Sequence, residues 1–483
     1  MTTATIEVPE GGWQVQPAAY QLVADILDIA CQNSPWLDQL RRDMLQQSGT
    51  RLVDWIDHLA VPPQQVLAAD GSLDGDLSQR LQACGFQTTP IAVADSSGGK
   101  ILGIGFKSTE TYWMQPLGIF PKIQCSNDVI KTRVAIKVDS VSDFLVAHGL
   151  QHCEIQGRAG GRMQKALVNE SEVVQVYVVA RQGWPHWELP SESDQNIADA
   201  VHHLDSLRRR DRGVDQDQAF STALERIEQA VGALGQDWAC ALFFQAEREF
   251  WQFRNQAARV QKRRQDVLGL GWANHDHHTY RCSRDYFPQL IHSLETLGVR
   301  CRERFYAGKQ AGWGAQVLEH PTGGIVIFAD VDLLPEELSG DFAHEGFAPL
   351  DKLGTVGLWC MLHGDSFAGA GLHHLECQFE FQAAREQLEA AGIGNMNPFT
   401  DFDHLKQSFT APETWTVNPT RLQKAVDCAA ITQQQAQQMT AKGAIGSHLE
   451  VLERNDGYKG FNQTGISDII AKTDPRKILE ASN

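Results

Sequence analysis

Three short stretches carry the side chains best suited to chemistry: His275-Asp276-His277-His278, His373-His374, and His448-Leu449-Glu450-Val451-Leu452-Glu453. Each reads as the start or body of a β-strand. Taking one residue from each gives His277, His374 and Glu450, two imidazoles and a carboxylate. On one face of an ion this donor set leaves adjacent coordination positions open and suits Fe(2+) and oxygen chemistry. A small bidentate substrate could chelate such an ion while O2 takes a remaining position. The three residues are separated by 97 and 76 residues (374 − 277 and 450 − 374), each about the length of one small α/β module.

Successive strand residues face opposite sides, so His277 and His278 diverge, and so do His373 and His374. The same rule puts His275 on the face of His277 as a supporting group and sends His278 and His373 to the outer face. His448 shares the face of Glu450, where it could exchange a proton with substrate or serve only strand pairing. Glu453 points away, toward a surface cation. Arg281, four residues past His277, falls on the His277 face. Its guanidinium could fork onto a substrate carboxylate or pair with Asp285. Gln316, Asn462 and Gln463 lie on or after late strands and could orient a substrate oxygen. Phe461 could wall the pocket or belong to the core. The candidate catalytic groups are therefore Arg281, His448 and Gln316, and the candidate substrate-binding groups are Arg281, Phe461, Asn462 and Gln463.

The elements that must position these residues follow from periodicity. Residues 13–85 carry apolar residues at helical spacing, as in Tyr20–Leu27 and Leu37–Leu45. Short β-type runs follow at Ile101–Phe106 and Arg133–Val138. The second leads into a helix from Ser140 to Gly149, with a serine start and a glycine stop. Strands recur at 166–168 and 173–180. Residues 195–268 return to helix. Then comes a strand at 277–281, a helix at 285–298 with Pro288 in its first turn, and strands at 300–306, 315–319 and 324–331. A second copy opens at 372–381, continues in a helix at 383–392, and closes at 446–454 after an inserted stretch around 398–442. Two βαβββ units of one size imply a repeat architecture. The fold class is α+β. The organisation is a helical N-terminal region (1–87), a metal-free βαβββ-like module (88–194), a helical insert (195–270) and a metal-binding pair of modules (271–483).

Composition narrows the partners. Forty-two Lys and Arg against 60 Asp and Glu give a net charge of −18, which argues against nucleic acid or an anionic membrane surface. The basic run Arg208-Arg209-Arg210-Asp211-Arg212 reads as a solvated helix face or a salt-bridge network. Ten cysteines occur without a CxxC pair, no apolar run is long enough to span a bilayer, and no signal pattern opens the chain. The expectation is a cytoplasmic protein whose partners are a small-molecule substrate and O2, with no nucleic acid and no membrane; a homo-oligomer stays open.

Paired βαβββ units with a ligand histidine on each first strand resemble the vicinal oxygen chelate superfamily. The tail Leu449-Glu450-Val451-Leu452, followed by Gly460-Phe461, is similar to the iron-glutamate strand of 4-hydroxyphenylpyruvate dioxygenases. Asp276-His277 and His374-Leu375 resemble that family's two histidine strands. Asp276-His277-His278-Thr279-Tyr280-Arg281 is also similar to a strand of the 2-oxoadipate dioxygenase/decarboxylases, with Asp276 standing where that strand has asparagine. The resemblance implies His277, His374 and Glu450 as iron ligands and a mononuclear non-haem Fe(II) dioxygenase acting on a small 2-oxo acid. Extradiol ring cleavage, a metal-dependent isomerase or lyase, and a non-catalytic ligand-binding protein are the alternatives on the same fold.

Overall fold

The computed structural model describes residues 12–63, 77–91, 110–114, 120–213, 215–309, 311–462 and 474–476. The candidate residue Gln463 and the strand expected at 101–106 lie outside them.

The N-terminal half builds one sheet from β1 (Ile56–Val61), β2 (Gln87–Ile91), β3 (Glu110–Met114), β4 (Lys122–Cys125), β5 (Thr132–Lys137), β6 (Met163–Glu170) and β7 (Val174–Arg181), in the order β2-β3-β4-β1-β5-β7-β6. Helices α1 (Pro17–Gln32), α2 (Pro35–Asp43), α3 (Leu77–Ala83) and α4 (Val141–Ala147) belong to this half. Its core gathers Leu22, Leu37 and Trp55 with Val134, Ile136, Phe144 and Val176. The serine start expected for α4 is present, since Ser140 Oγ accepts from the Asp143 N–H, which satisfies one of the helix's free donors. The helical reading of 13–85 misses β1, a largely buried strand of the sheet.

Four helices follow: α5 (Asp194–Arg208), α6 (Gln216–Leu234), α7 (Gln236–Arg254) and α8 (Gln256–Asp266). The basic run at 208–212 is a salt-bridge network. Arg208 pairs with Glu249 at 2.6 Å, Arg210 with Glu247 at 2.8 Å, and Arg212 also reaches Glu247.

The second sheet contains β8 (His275–Arg281), β9 (Arg300–Tyr306), β10 (Trp313–Glu319), β11 (Val326–Asp332), β12 (His374–Gln378), β13 (Thr400–Phe402) and β14 (Leu405–Phe409). A small ribbon of β15 (Thr414–Trp415) and β16 (Ala444–Ile445) stands apart, and β17 (His448–Arg454) completes the main sheet. Its order is β13-β14-β17-β12-β8-β11-β10-β9. With α9 (Phe287–Thr296) and α12 (Phe381–Ala390), this is two βαβββ units joined at an antiparallel β8–β12 seam. The parallel pairs β8–β11 and β12–β17 repeat the same arrangement on either side of the seam. The fold is thus α+β, with two βαβββ modules paired in one sheet, the arrangement that the resemblance implies. Helices α10 (Phe342–Glu345) and α11 (Thr355–His363) lie between the units, and α13 (Pro419–Asp427) and α14 (Gln433–Lys442) lie within the second. The stretch at 398–442 is only partly an insertion, because β13 and β14 extend the module's own sheet.

Alternation along these strands separates two environments. Tyr280, Ile327, Ala329, Leu375, Cys377, Leu449 and Val451 face the helical side and its large apolar core. Beneath β8, Tyr280 donates its hydroxyl to the buried Glu247 at 2.9 Å. The opposite, concave face carries Phe305, Trp313, Ala315, Val317, Val326 and Phe328, together with the histidines and carboxylates of the site. Among the described residues, no helix is long and apolar enough to cross a membrane.

Candidate metal centre

Strand register assembles the site from two adjacent rows across the sheet. The first runs Val326, His277, Glu376, Glu450 and Phe409, and the second runs Phe328, Thr279, His374 and His448. Directly opposed side chains on one face lie about 5 Å apart, so the three strands β8, β12 and β17 place their polar groups within mutual reach. One ligand atom each from His277, His374 and Glu450 lies within 4.8 Å of the others. His374 Nε2 is 3.0 Å from Glu450 Oε2, and His277 Nε2 is 3.8 Å from the same oxygen. All three side chains are buried. The three residues chosen from sequence are thus brought together.

Two residues not singled out from the sequence complete the arrangement. Glu376, two positions past His374 on β12, is fully buried, and its Oε2 lies 2.5 Å from His277 Nδ1. That close contact is off the alignment of a good hydrogen bond. Gln407 on β14 donates from Nε2 to Glu376 Oε1 at 2.9 Å and to Glu450 Oε1 at 3.2 Å, holding two carboxylates beside each other. Glu376 was legible, since alternation puts it on the face of His374. Gln407 was not, because it sits in the stretch read as inserted.

The electrostatics favour a cation at this point. Burial alone would lower the His277 pKa, but the carboxylates of Glu376, Asp276 and Glu450 outweigh it and push it up to about 10. Burial and the neighbouring Glu450 charge push Glu376 up to about 8. Burial holds His374 and His448 well below the usual histidine value, so both rings are neutral, the form in which imidazole ligates. Among the described residues, His374 Nδ1 and both ring nitrogens of His448 have no hydrogen-bond partner, an expensive condition in a buried site. The Thr279 hydroxyl lies 2.8 Å from His374 Nε2. Outside the triad, Asp276 accepts from Arg454 at 3.2 Å and from Gln378 at 3.0 Å.

The remaining candidates divide. Arg281 is buried on the concave face, and its Nε and Nη1 have no hydrogen-bond partner among the described residues. It makes no ion pair with Asp285; its guanidinium lies 5.7 Å from the centroid of the Trp359 ring. Asp330 stands beside it in strand register, and burial pushes that carboxyl up to about 7. His448 stacks on His374 with ring centroids 5.1 Å apart. Phe461 is half-buried, with its ring 6.5 Å from His277 and 4.6 Å from Phe328, and forms a wall. Gln316 is not brought to the site. Its neighbours Ala315 and Val317 face the cup, whereas its own amide donates to the Glu303 and Val317 carbonyls, both at 3.0 Å. Asn462 donates to Thr400 Oγ1 at 3.2 Å, a contact with β13 rather than with the triad.

Two neighbouring histidines depart from strict alternation. The pairing shifts register between Glu376 and Cys377, which lie opposite His277 and His275. Asp276 is therefore the extra residue of a bulge, a feature that re-aims side chains. His275 turns to the helical side, 5.1 Å from the His278 ring, and does not share the face of His277. His373 precedes β12, so alternation does not bind it. Its ring packs 5.3 Å from Trp359 and 4.7 Å from His448, inside the cup rather than on the outer face. His278 packs outward as expected, against Phe244.

No protein-family model matches the chain, and no curated protein matches it significantly. Among solved structures it is similar to a glyoxalase superfamily protein from Ralstonia eutropha, at 13% identity over 53% of this chain and 96% of that one, with a TM-score of 0.31. It is also similar to a variant of 4-hydroxymandelate synthase from Streptomyces coelicolor, at 13% identity over 71% and 96% of the two chains, with a TM-score of 0.28. A third is the hydroxyglutarate synthase of Pseudomonas putida in complex with 2-oxoadipate, at 12% identity over 55% and 65%, with a TM-score of 0.22. The fold assignment rests on the strand order described above.

Proposed function

We propose that this chain is a mononuclear non-haem Fe(II) dioxygenase acting on a small 2-oxo acid, by oxidative decarboxylation with or without hydroxylation of the product. The observation that carries this reading is the convergence of His277, His374 and Glu450 within 4.8 Å on one buried concave face. The donor set fits the ion: two imidazoles and one carboxylate, in a site whose neighbouring carboxylates attract positive charge. His277, His374 and Glu450 would hold Fe(2+), which when bound supplies the activation of O2.

The other tasks fall to the protein. With Fe(2+) on Nε2, Glu376, whose Oε2 lies 2.5 Å from Nδ1, would hold the remaining proton of His277 on Nδ1 and so orient the ring. Gln407 fixes the orientation of Glu450. Arg281, charged and with unsatisfied donors, anchors the substrate carboxylate. Phe328 and Phe461 exclude water from the side nearest His277. His448 is the group able to carry a proton to or from substrate oxygen. That last feature also favours a second reading, extradiol cleavage of a catechol, in which a base beside the metal takes the catechol proton.

Oxygen-electrode assays of the Fe(II)-loaded protein with a panel of 2-oxo acids and catechols test the reaction class. O2 uptake that requires a 2-oxo acid and releases CO2 supports the reading. Uptake with catechols alone replaces it with ring cleavage, and no uptake with either removes the dioxygenase reading.

A further inference from the structure

A cavity of about 520 Å³ lies on the helical side of β8, between the first sheet, α7 and the start of β8. None of the three triad residues lines it. Its size is that of an ordinary small-molecule site. Lys137 at the end of β5, Arg248 on α7 and His275 line it, together with Trp184, Trp272 and Ile325.

The lining carries four cations, Lys137, Arg181, Arg248 and Lys262, and four carboxylates, Asp57, Asp139, Asp143 and Glu249; Arg181 pairs with Asp57 and Lys262 with Asp266, which leaves Lys137 and Arg248 as the lining cations without an ion pair among the described residues. Lys137 has no ion-pair partner within 4.0 Å among the described residues, and the carboxylates whose fields reach it are committed elsewhere. Asp54 pairs with Arg51 at 2.8 Å, Asp57 with Arg181 at 2.6 Å, and Asp276 with Arg454 at 3.2 Å. Arg248 likewise has no carboxylate partner and donates from Nη1 to His278 Nε2 at 3.2 Å. Of the lining carboxylates other than Asp57, Glu249 is bound to Arg208 at 2.6 Å, Asp139 accepts the Trp272 N–H at 2.6 Å, and Asp143 is exposed. Burial raises the pKa of Asp139 and lowers that of Lys137, the latter opposed by the fields of Asp54, Asp57 and Asp276, whereas a guanidinium stays charged.

We propose that this cavity is a second ligand site, distinct from the metal centre, which takes the oxyanion group of a small organic molecule between Lys137 and Arg248. Trp184, Trp272 and Ile325 receive the ligand's body. A carboxylate and a phosphate share the required chemistry, and the probes below separate them. The site abuts β8, because Arg248 contacts His278, the residue next to His277, so occupancy would be felt at the strand that carries the metal ligand.

Isothermal titration of the full chain at low ionic strength, with succinate and separately with inorganic phosphate, tests this. At least one probe should bind, and Lys137→Met and Arg248→Met should each weaken it by about tenfold or more, the loss expected for a charge-assisted contact. Binding should persist in His374→Ala, which separates this site from the metal reading. In the unmodified protein the bound probe should also protect Lys137 from an amine-acylating reagent, read by peptide mass mapping, so the test does not depend on the variants folding. Binding of succinate alone assigns a carboxylate ligand, and of phosphate alone a phosphate. The proposal is overturned if neither probe binds, or if a probe binds without protecting Lys137 and without loss in either variant.

Discussion

Glu376 and His277 meet at 2.5 Å across the β8–β12 seam, a carboxylate against the ring nitrogen that faces away from Glu450. Carboxylate–histidine pairs of this kind fix the tautomer and orientation of a ligand histidine. The contact depends on the two modules pairing in one register, so the seam between the repeats is also what prepares the metal site.

Replacing Glu376 by Ala should therefore weaken metal binding by about 10–100-fold, the usual cost of losing such a partner, while leaving the ligands in place. Glu376→Gln should fall between, because an amide oxygen can still accept from Nδ1–H. Competition between the anaerobic protein and a calibrated chelator measures both. An affinity unchanged in Glu376→Ala would show that His277 needs no orienting partner.

Arg281 provides the test of substrate class. A guanidinium binds a carboxylate through two parallel bonds that an ammonium cannot reproduce. Losing this contact should cost on the order of 2–5 kcal/mol, so Arg281→Lys should lower kcat/KM for a 2-oxo acid by roughly 30-fold or more, with metal content unchanged. A catechol lacking a carboxylate should be turned over equally by both proteins. Equal turnover of the 2-oxo acid would remove Arg281 from the site.

How much of this was legible beforehand depended on regular strands. The spacing of strand starts and the alternation of faces led to His277, His374 and Glu450, and to Arg281 on the same side. Alternation failed where the chain breaks it. The bulge at Asp276 turned His275 around, and His373 lies just before its strand begins. Gln316 was undecidable because β10 is flanked by apolar residues on both faces, Ala315 and Val317 on one and Leu318 on the other, which hides its phase. Gln407 lies in strands too short and polar to separate from an insertion. Strand β1 was lost among amphipathic helices, where a six-residue segment interrupted by Asp57 and His58 shows no clear alternation.

A pH prediction follows from His363, which donates from Nε2 to the Ile445 carbonyl at 2.8 Å. Burial, aided by the charges of Arg254 and Arg421, lowers its pKa from 6.5 to about 3. The folded value lies below the unfolded one, so this histidine's contribution to stability is present above pH 6.5 and is lost as pH falls toward 3. His363→Gln should lose less Tm than the parent between pH 6.5 and 4. Parallel declines in a thermal melt series would show that His363 titrates normally.

His278, adjacent to a proposed ligand but turned to the helical side, is the control for the strand-face argument. His278→Ala should retain full metal content, measured by elemental analysis after anaerobic loading. Loss of the ion with the fold intact, judged by circular dichroism, would mean that β8 presents its histidines differently.

The central claim is that His277, His374 and Glu450 together hold one Fe(2+). Anaerobic Fe(II) titration followed by gel filtration and iron analysis tests it most directly. The parent protein should retain one iron per chain, and His277→Ala, His374→Ala and Glu450→Ala should each retain close to none while keeping their circular dichroism spectra. One iron per chain persisting in His374→Ala would contradict the account.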